Sequence, residues 1–387
     1  MEWSGVVDGP APSRAGRKDS QVRCRHRLSP VAAVIPLVLL LGAWAMTPSA
    51  GTMAKVAVFP VENLTSGSVP AAEVTRALVG GLTSAGVGVV SDDALEAFMA
   101  RHRIRYAAGI DAAMAARLRE ETGADGAVFA SVEWSSAAEP PKIALLARLA
   151  STSDAPTVVW ADDVGLSGDD APGLFELGLV NDYQVLLARA LDRLAGSLTA
   201  YLKTGRAAGA PKAASKFRPK TSHRQITLEP GRIYSIAVVP FFNLSERRQA
   251  GQILALLFAR HLAGRPEFRV VEPGVTRRQL LDARIIMDGG ISLSDADAIA
   301  AATGADLVLG GRVFRYEDYE GPDGRTRVDF STMLVDRRSG RVVWSSASDN
   351  EGTDGVLVFE RGTSRTAHAM ATRMVRLVAD RIAGRDR

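Results

Sequence analysis

Five histidines, a single cysteine and a few acidic clusters are the side chains with the most chemical reach in this sequence. None of the pairs among His26, His102, His223, His261 and His368 is spaced at i+3 or i+4. That spacing would set two imidazoles on one helical face for a metal. His102 and His261 are expected on a helix surface or at a helix end. Cys24 stands alone, which excludes a disulfide framework and a thiolate zinc site. Asp92-Asp93 and Asp295 with Asp297 fall where helices should begin, and carboxylates there cap N–H groups and suit the helix dipole. Glu317, Asp318 and Glu320 flank a turn without the regular ligand series of a calcium loop. Neither a phosphate-cradling Gly-rich loop ending in Lys-Ser/Thr nor a G-x-S-x-G elbow occurs. The expectation is no catalytic residue, no metal and no cofactor, and hence no enzyme.

One segment reads as a binding candidate. FRYEDYEGPDGRTR at 314–327 is a hairpin whose turn is Gly-Pro-Asp-Gly at 321–324. Tyrosine and arginine are favoured at interface hot spots, so Arg315, Tyr316, Tyr319, Arg325 and Arg327 are the candidate partner-binding residues. An ordinary hairpin with cross-strand pairs is the competing reading.

The elements that must position these residues follow from composition and repeats. A chain of 387 residues with 47% hydrophobic and 23% charged residues is globular and long enough for two or three domains. The formal charge of +4 hints at an anionic partner, but its location argues otherwise. Arg14, Arg17, Lys18, Arg23, Arg25 and Arg27 precede the apolar run VAAVIPLVLLLGAWAM at 31–46. A basic stretch, a short apolar run and small residues after it form a secretory signal peptide, here residues 1–50. Cleavage is expected near Ala45 or Gly51, and an uncleaved membrane anchor is the alternative. Residues 1–45 hold six basic and three acidic side chains, so 41 basic against 40 acidic remain. No nucleic-acid partner and no mature transmembrane segment are expected.

The rest of the chain is a duplication. KVAVFPVENL at 55–64 matches SIAVVPFFNL at 235–244, VGVV at 87–90 matches FRVV at 268–271, TGAD at 122–125 recurs at 303–306, and VVW at 158–160 recurs at 342–344. The offsets stay between 180 and 184, and the helical stripe Val74, Leu78, Leu82 is preserved as Leu254, Phe258, Leu262. Each unit reads as a short strand, an amphipathic helix, a second strand, helical segments, three consecutive strands and a long closing helix. Gly123 and Gly304 stand where a helix C-terminus needs positive φ. The fold class is α+β, with two tandem homologous domains at 54–202 and 233–385, each a mixed β-sheet packed with helices. Residues 203–232 carry Lys203, Arg206, Lys212, Lys216, Arg218, Lys220 and Arg224 with no acid before Glu229, and read as a flexible basic linker. Asn63-Leu64-Thr65 and Asn243-Leu244-Ser245 occupy the same turn, where side-chain hydrogen bonding explains them better than glycosylation.

The order IAVVPFFNLS, FRVVE, TGADLVLGGRV and DRRSGRVVWS within residues 236–345 resembles the CsgG/TolB amino-terminal superfamily of bacterial envelope proteins. VAVFPVENLT, VGVVS, TGADGAVFASV and TVVWADD form a weaker copy in the first unit. The resemblance implies protein binding and assembly in the periplasm or at the outer membrane, without catalysis. The chain lacks a lipobox, inserted barrel strands and propeller repeats, which sets it apart from anchored lipoproteins, secretion pores and TolB itself. The expected function is therefore that of an exported, non-enzymatic periplasmic binding or assembly protein, with peripheral outer-membrane association open. Its expected partners are envelope proteins or peptidoglycan and outer-membrane assembly components, with self-association open. The alternative is a periplasmic small-molecule-binding protein that holds its ligand between two lobes.

Overall fold

The computed structural model describes residues 53, 55–105, 108–170, 178–207, 214–286, 289–319, 324–354 and 363–385. The signal segment and Cys24 lie outside them. In the first repeat, β1 (Lys55–Val58) and β2 (Glu62–Asn63) precede α1 (Ala71–Ser84), followed by β3 (Gly88–Val89), α2 (Asp92–Arg101) and α3 (Ala112–Thr122). An antiparallel meander β4 (Gly126–Ser136), β5 (Lys142–Ser151) and β6 (Val158–Ser167) leads into α4 (Tyr183–Thr204). The sheet order is β3-β1-β4-β5-β6, with β1 parallel to both neighbours and β2 paired to β4. The second repeat begins after β7 (Thr221–Arg224) with β8 (Tyr234–Val238) and β9 (Phe242–Asn243), then α5 (Ala250–Ala263), β10 (Phe268–Val270), α6 (Pro273–Asp282) and α7 (Leu293–Thr303). It ends with β11 (Leu307–Glu317), β12 (Arg327–Asp336), β13 (Arg341–Glu351) and α8 (Ala367–Ile382). Its sheet order, β10-β8-β11-β12-β13-β7, repeats that of the first with one strand added. The α+β class and its two mixed sheets are as the sequence pattern predicts.

Local chemistry explains the boundaries. Asp111 and Ser292 cap α3 and α7 by accepting from the backbone N–H of Met114 and Asp295. Gly123 and Gly304 then end those helices at φ 69°, the left-handed region that only glycine enters without penalty. Asn63 and Asn243 turn the chain by accepting from the N–H of Thr65 and Ser245 at 2.9 and 3.1 Å.

Helices cover each sheet on both sides, but not completely. In the first repeat α1 and α4 pack on one face through Val74, Leu78, Leu82, Leu187, Leu191, Leu194 and Leu198. Helices α2 and α3 cover the β1–β4 part of the other face around Phe59, Phe98 and Phe129. The remaining outer face of β5 and β6 takes the second repeat. Helix α5 packs on β6 as well as on its own sheet, and eleven of its fourteen residues are buried. Leu146 of β5 consequently belongs to the core built by α5 and α8. The two sheets also meet edge to edge, through an isolated bridge between Thr157 and Val271 and a bond from Glu272 N–H to Pro156 O of 3.0 Å.

The segment read as a linker departs from that reading. Phe217, in a short 3₁₀ turn at Ser215–Phe217, is 2% exposed within the second core. Thr221–Arg224 pairs antiparallel with β13. An edge strand presents unpaired N–H and C=O groups, so a nearby extended segment gains hydrogen bonds by docking there. Arg224 also lies over the Trp344 ring at 5.2 Å.

The face of β5 and β6 covered by the second repeat has an equivalent on that repeat. Asp329 faces Asp349 across β12 and β13 as Ala144 faces Gly165 across β5 and β6, and Ser331 corresponds to Leu146. Ala144 and Leu146 are buried, whereas Asp329 and Ser331 are half-buried and Asp349 is exposed. Burial and the opposed Asp349 push the Asp329 carboxyl above its usual range. The second repeat thus ends the stack with a polar face, as terminal repeats do. Leu146→Ala should cost about 2–5 kcal/mol in chemical denaturation. Ser331→Ala at the equivalent position should stay within about 0.5 kcal/mol.

Candidate functional site

The structure distributes the hairpin residues differently from the sequence expectation. A bulge between Val313 and Arg315 inserts one residue into β11. Val313 and Tyr316 therefore face the same side, and Tyr316 is buried at 4% exposure in the core with α5 and α8. Burial holds its phenol well above the usual range. Tyr319 lies under the first repeat: Lys142 Nζ sits 3.2 Å from its ring centroid and donates to its carbonyl at 2.8 Å. Two of the five candidate residues, Tyr316 and Tyr319, are thus engaged in the core and at the contact with the first repeat. Arg315 is exposed and pairs in register with Asp329, Arg327 binds Glu351 at 2.8 Å, and Arg325 reaches the same carboxylate at 4.0 Å.

The groups that do converge lie at the seam between the repeats. The equivalent bulge in β4, between Val132 and Trp134, turns Glu133 into the seam, where it is 1% exposed. His368, the second residue of α8, bonds Glu133 through Nδ1 and Asp163 of β6 through Nε2 at 3.0 Å. Thr372 Oγ1 donates to the same Asp163 oxygen at 2.6 Å. Arg260 of α5 places Nε 2.7 Å from Asp163 and Nη2 2.7 Å from Asp162. Ser197 of α4 completes the chain by donating to Asp162 at 2.6 Å.

Protonation states follow from these contacts. Burial alone would strip the proton from His368, but Glu133 and Asp163 outweigh it and push its pKa up to about 10. Burial opposes charge on Asp163 too, yet Arg260 and His368 hold its carboxyl well below the usual range. His261 is the opposite case: burial and the adjacent Arg260 keep it well below its ordinary value, so it is neutral. It is 3% exposed, not the surface residue its sequence position implies, because α5 is buried on both sides. Both ring nitrogens of His368 are occupied by carboxylates, so it is not poised to accept a proton from a substrate.

Further anchors cross the seam among the described residues. Arg148 of β5 binds Glu272 at 2.8 Å with side-chain exposures of 4% and 0%, and donates to Ala108 O at 2.6 Å. Glu272 in turn caps α6. There Gly109 and Gly274 meet so closely that a Cβ on Gly274 would lie 2.3 Å from Ile110 N. Within the second repeat, Asp318 accepts from the N–H of Ala367 at 2.8 Å, while burial pushes its pKa to about 6. Arg247 donates to the carbonyls of Leu64 and Glu133. Among the described residues, no group of three or more His, Cys, Asp or Glu could hold a metal ion.

Sequence reasoning passed over Arg148, Asp163, Arg260, Glu272 and His368. The signal was available: Arg148 interrupts the apolar strand IALLARLA, and Arg260-His261 interrupt an otherwise apolar helix. A charge inside an apolar run marks a buried partner elsewhere, though not which one.

No family model matches the chain, and no curated protein matches it. Among solved structures, the PelC dodecamer from Paraburkholderia phytofirmans shares 22% identity at a TM-score of 0.29, over 41% of this chain and 94% of that one. Lipoprotein GNA1162 from Neisseria meningitidis shares 17% identity at 0.28, over 38% and 99%. The LpoB C-terminal domain from Salmonella enterica shares 17% at 0.24, over 31% and 86%.

Two predictions follow from the seam. Arg148→Met alone should destabilise by about 3–5 kcal/mol, and pairing it with Glu272→Leu should restore most of that loss in urea melts. The pH dependence has a defined sign. His368 is raised from an ordinary 6.5 to about 10, so its contribution is complete below about pH 6.5 and is lost as pH climbs through 10. Asp318 is raised from 3.8 to about 6, so its ionisation weighs against folding above that pH. Asp318→Asn should accordingly raise Tm at pH 8 and leave it unchanged at pH 4.

Proposed function

We propose that this chain is an exported, non-enzymatic binding or assembly protein of the bacterial envelope, built from two CsgG/TolB-like repeats joined into one body. The observation that carries this reading is where apolar surface is left open. Of eight exposed large hydrophobic side chains among the described residues, only Val185 precedes residue 225. The others are Ile226, Ile233, Leu244, Leu281, Ile286, Leu293 and Phe314. Three of them bracket the α6–α7 connection, at 63%, 77% and 48% exposure for Leu281, Ile286 and Leu293. The matching positions in the first repeat are Ala100, Arg105 and Ala112. Apolar side chains held in water on one repeat and absent from its twin favour a protein partner there. The buried charges of the seam, in contrast, are engaged with one another across the two repeats.

The leader pattern supports export, and no helix among the described residues is long and apolar enough to cross a membrane. A photo-crosslinking side chain at Ile286 should capture an envelope protein in cells, while one at Arg105 should not. A mature chain beginning near Met46 or Thr52 in the periplasmic fraction is expected by mass spectrometry. Recovery of the intact chain from cytoplasm alone would sink the proposal.

A further inference from the structure

A cavity of about 200 Å³ opens between the repeats beside the buried network, well above the roughly 15 Å³ that one water needs. Trp160, Asp162 and Ser197 line it from the first repeat, and Arg260, Arg265 and Arg376 from the second. Its wall is more basic than the network behind it. Arg385 joins the wall as a fourth guanidinium, facing the two carboxylates Asp162 and Asp380. Asp163 and Glu267, which balance Arg260 and Arg385, do not line the cavity.

The arginines differ in how far their donors are used. Arg260 is held by Asp162 and Asp163, and Arg385 binds Glu267 through both oxygens at 2.7 and 2.9 Å. Arg265 is 7% exposed and donates Nη2 to Asp380 at 2.8 Å and to Arg376 O at 3.0 Å. Its buried Nε has no hydrogen-bond partner. Arg376 reaches the same Asp380 only at 3.9 Å, beyond hydrogen-bond length. One carboxylate thus serves two guanidiniums, and the buried Nε of one finds no acceptor among the described residues. His261, which also lines the cavity, is neutral and adds no charge to it. Burial, reinforced by Arg385 and Arg376, makes the Arg265 cation less favourable than usual.

We infer that this inter-repeat cavity binds a small oxyanion, a phosphate, sulfate or carboxylate group, on the unused donors of Arg265 and Arg376. A guanidinium offers planar, paired N–H donors that match such oxygens, and a buried donor left unmade is costly. The binder needs no other part of the chain, so the site stands whether or not the α6–α7 surface meets a protein. Because both repeats build the wall, occupancy also ties them together and raises stability by mass action.

The test uses the mature chain at pH 7.5 and constant ionic strength, with inorganic phosphate or acetate replacing chloride. Saturable heat in calorimetry and a rising Tm with either anion are expected. Arg376→Gln, whose side chain is 19% exposed, should weaken binding at least about tenfold, and Arg376→Lys should fall between it and the parent. Arg278→Gln, an exposed arginine paired with Asp282 on α6, should bind as the parent does. Circular dichroism of each variant separates lost binding from lost folding. Equal Tm in chloride, phosphate and acetate, or a folded Arg376→Gln that binds as tightly as the parent, would overturn the site.

Discussion

The outer face of β5 and β6 is the constraint on which the molecule turns. Helices α1 and α4 cover one side of that strand pair, and α2 and α3 cover the other side only near β1 and β4. Ala144 and Leu146 would otherwise meet water, and α5 with α8 removes them from it. The apolar character of α5 on all sides follows, because that helix serves two sheets at once. So does the contrast between repeats. The first carries an apolar outer face because the second repeat packs there, and the second carries Asp329, Ser331 and Asp349, which are exposed or half-buried.

Hydrophobic burial explains that the repeats associate but not the orientation they adopt. The charges do that. His368 between Glu133 and Asp163, Arg260 between Asp162 and Asp163, and Arg148 on Glu272 each link one repeat to the other. Buried pairs of this kind add little net stability, since desolvation offsets most of the attraction. Their effect is on alternatives: any shifted packing would leave several charges buried alone. Close contact of Gly109 with Gly274 narrows the choice further, because neither position has room for a side chain. The seam is therefore both the joint between the repeats and the wall of a cavity lined by four arginines.

The duplication, the order of elements, the capping glycines and the asparagine turns were all legible in the amino-acid sequence. Each depends on contacts within a few residues or on periodicity along one element. The burial of Tyr316 was not legible for a definite reason. Strict alternation would place Arg315, not Tyr316, on the same face as Val313, and the single residue added by the bulge reverses this. The basic segment before β8 was misjudged because its docking depends on an edge strand more than a hundred residues away, not on its own composition.

By itself, then, the sequence determined two copies of one α+β unit, a basic stretch over residues 14–27, and almost balanced charge after residue 45. Only the tertiary structure decided that Glu133, Asp162, Asp163, Arg260 and His368 meet. They come from β4, β6, α5 and α8, and no local pattern specifies which face of one repeat receives the other. The protonation of His368 and the neutrality of His261 were decided there too, since both depend on burial, and His368 also on Glu133 and Asp163, which folding brings to it from the other repeat.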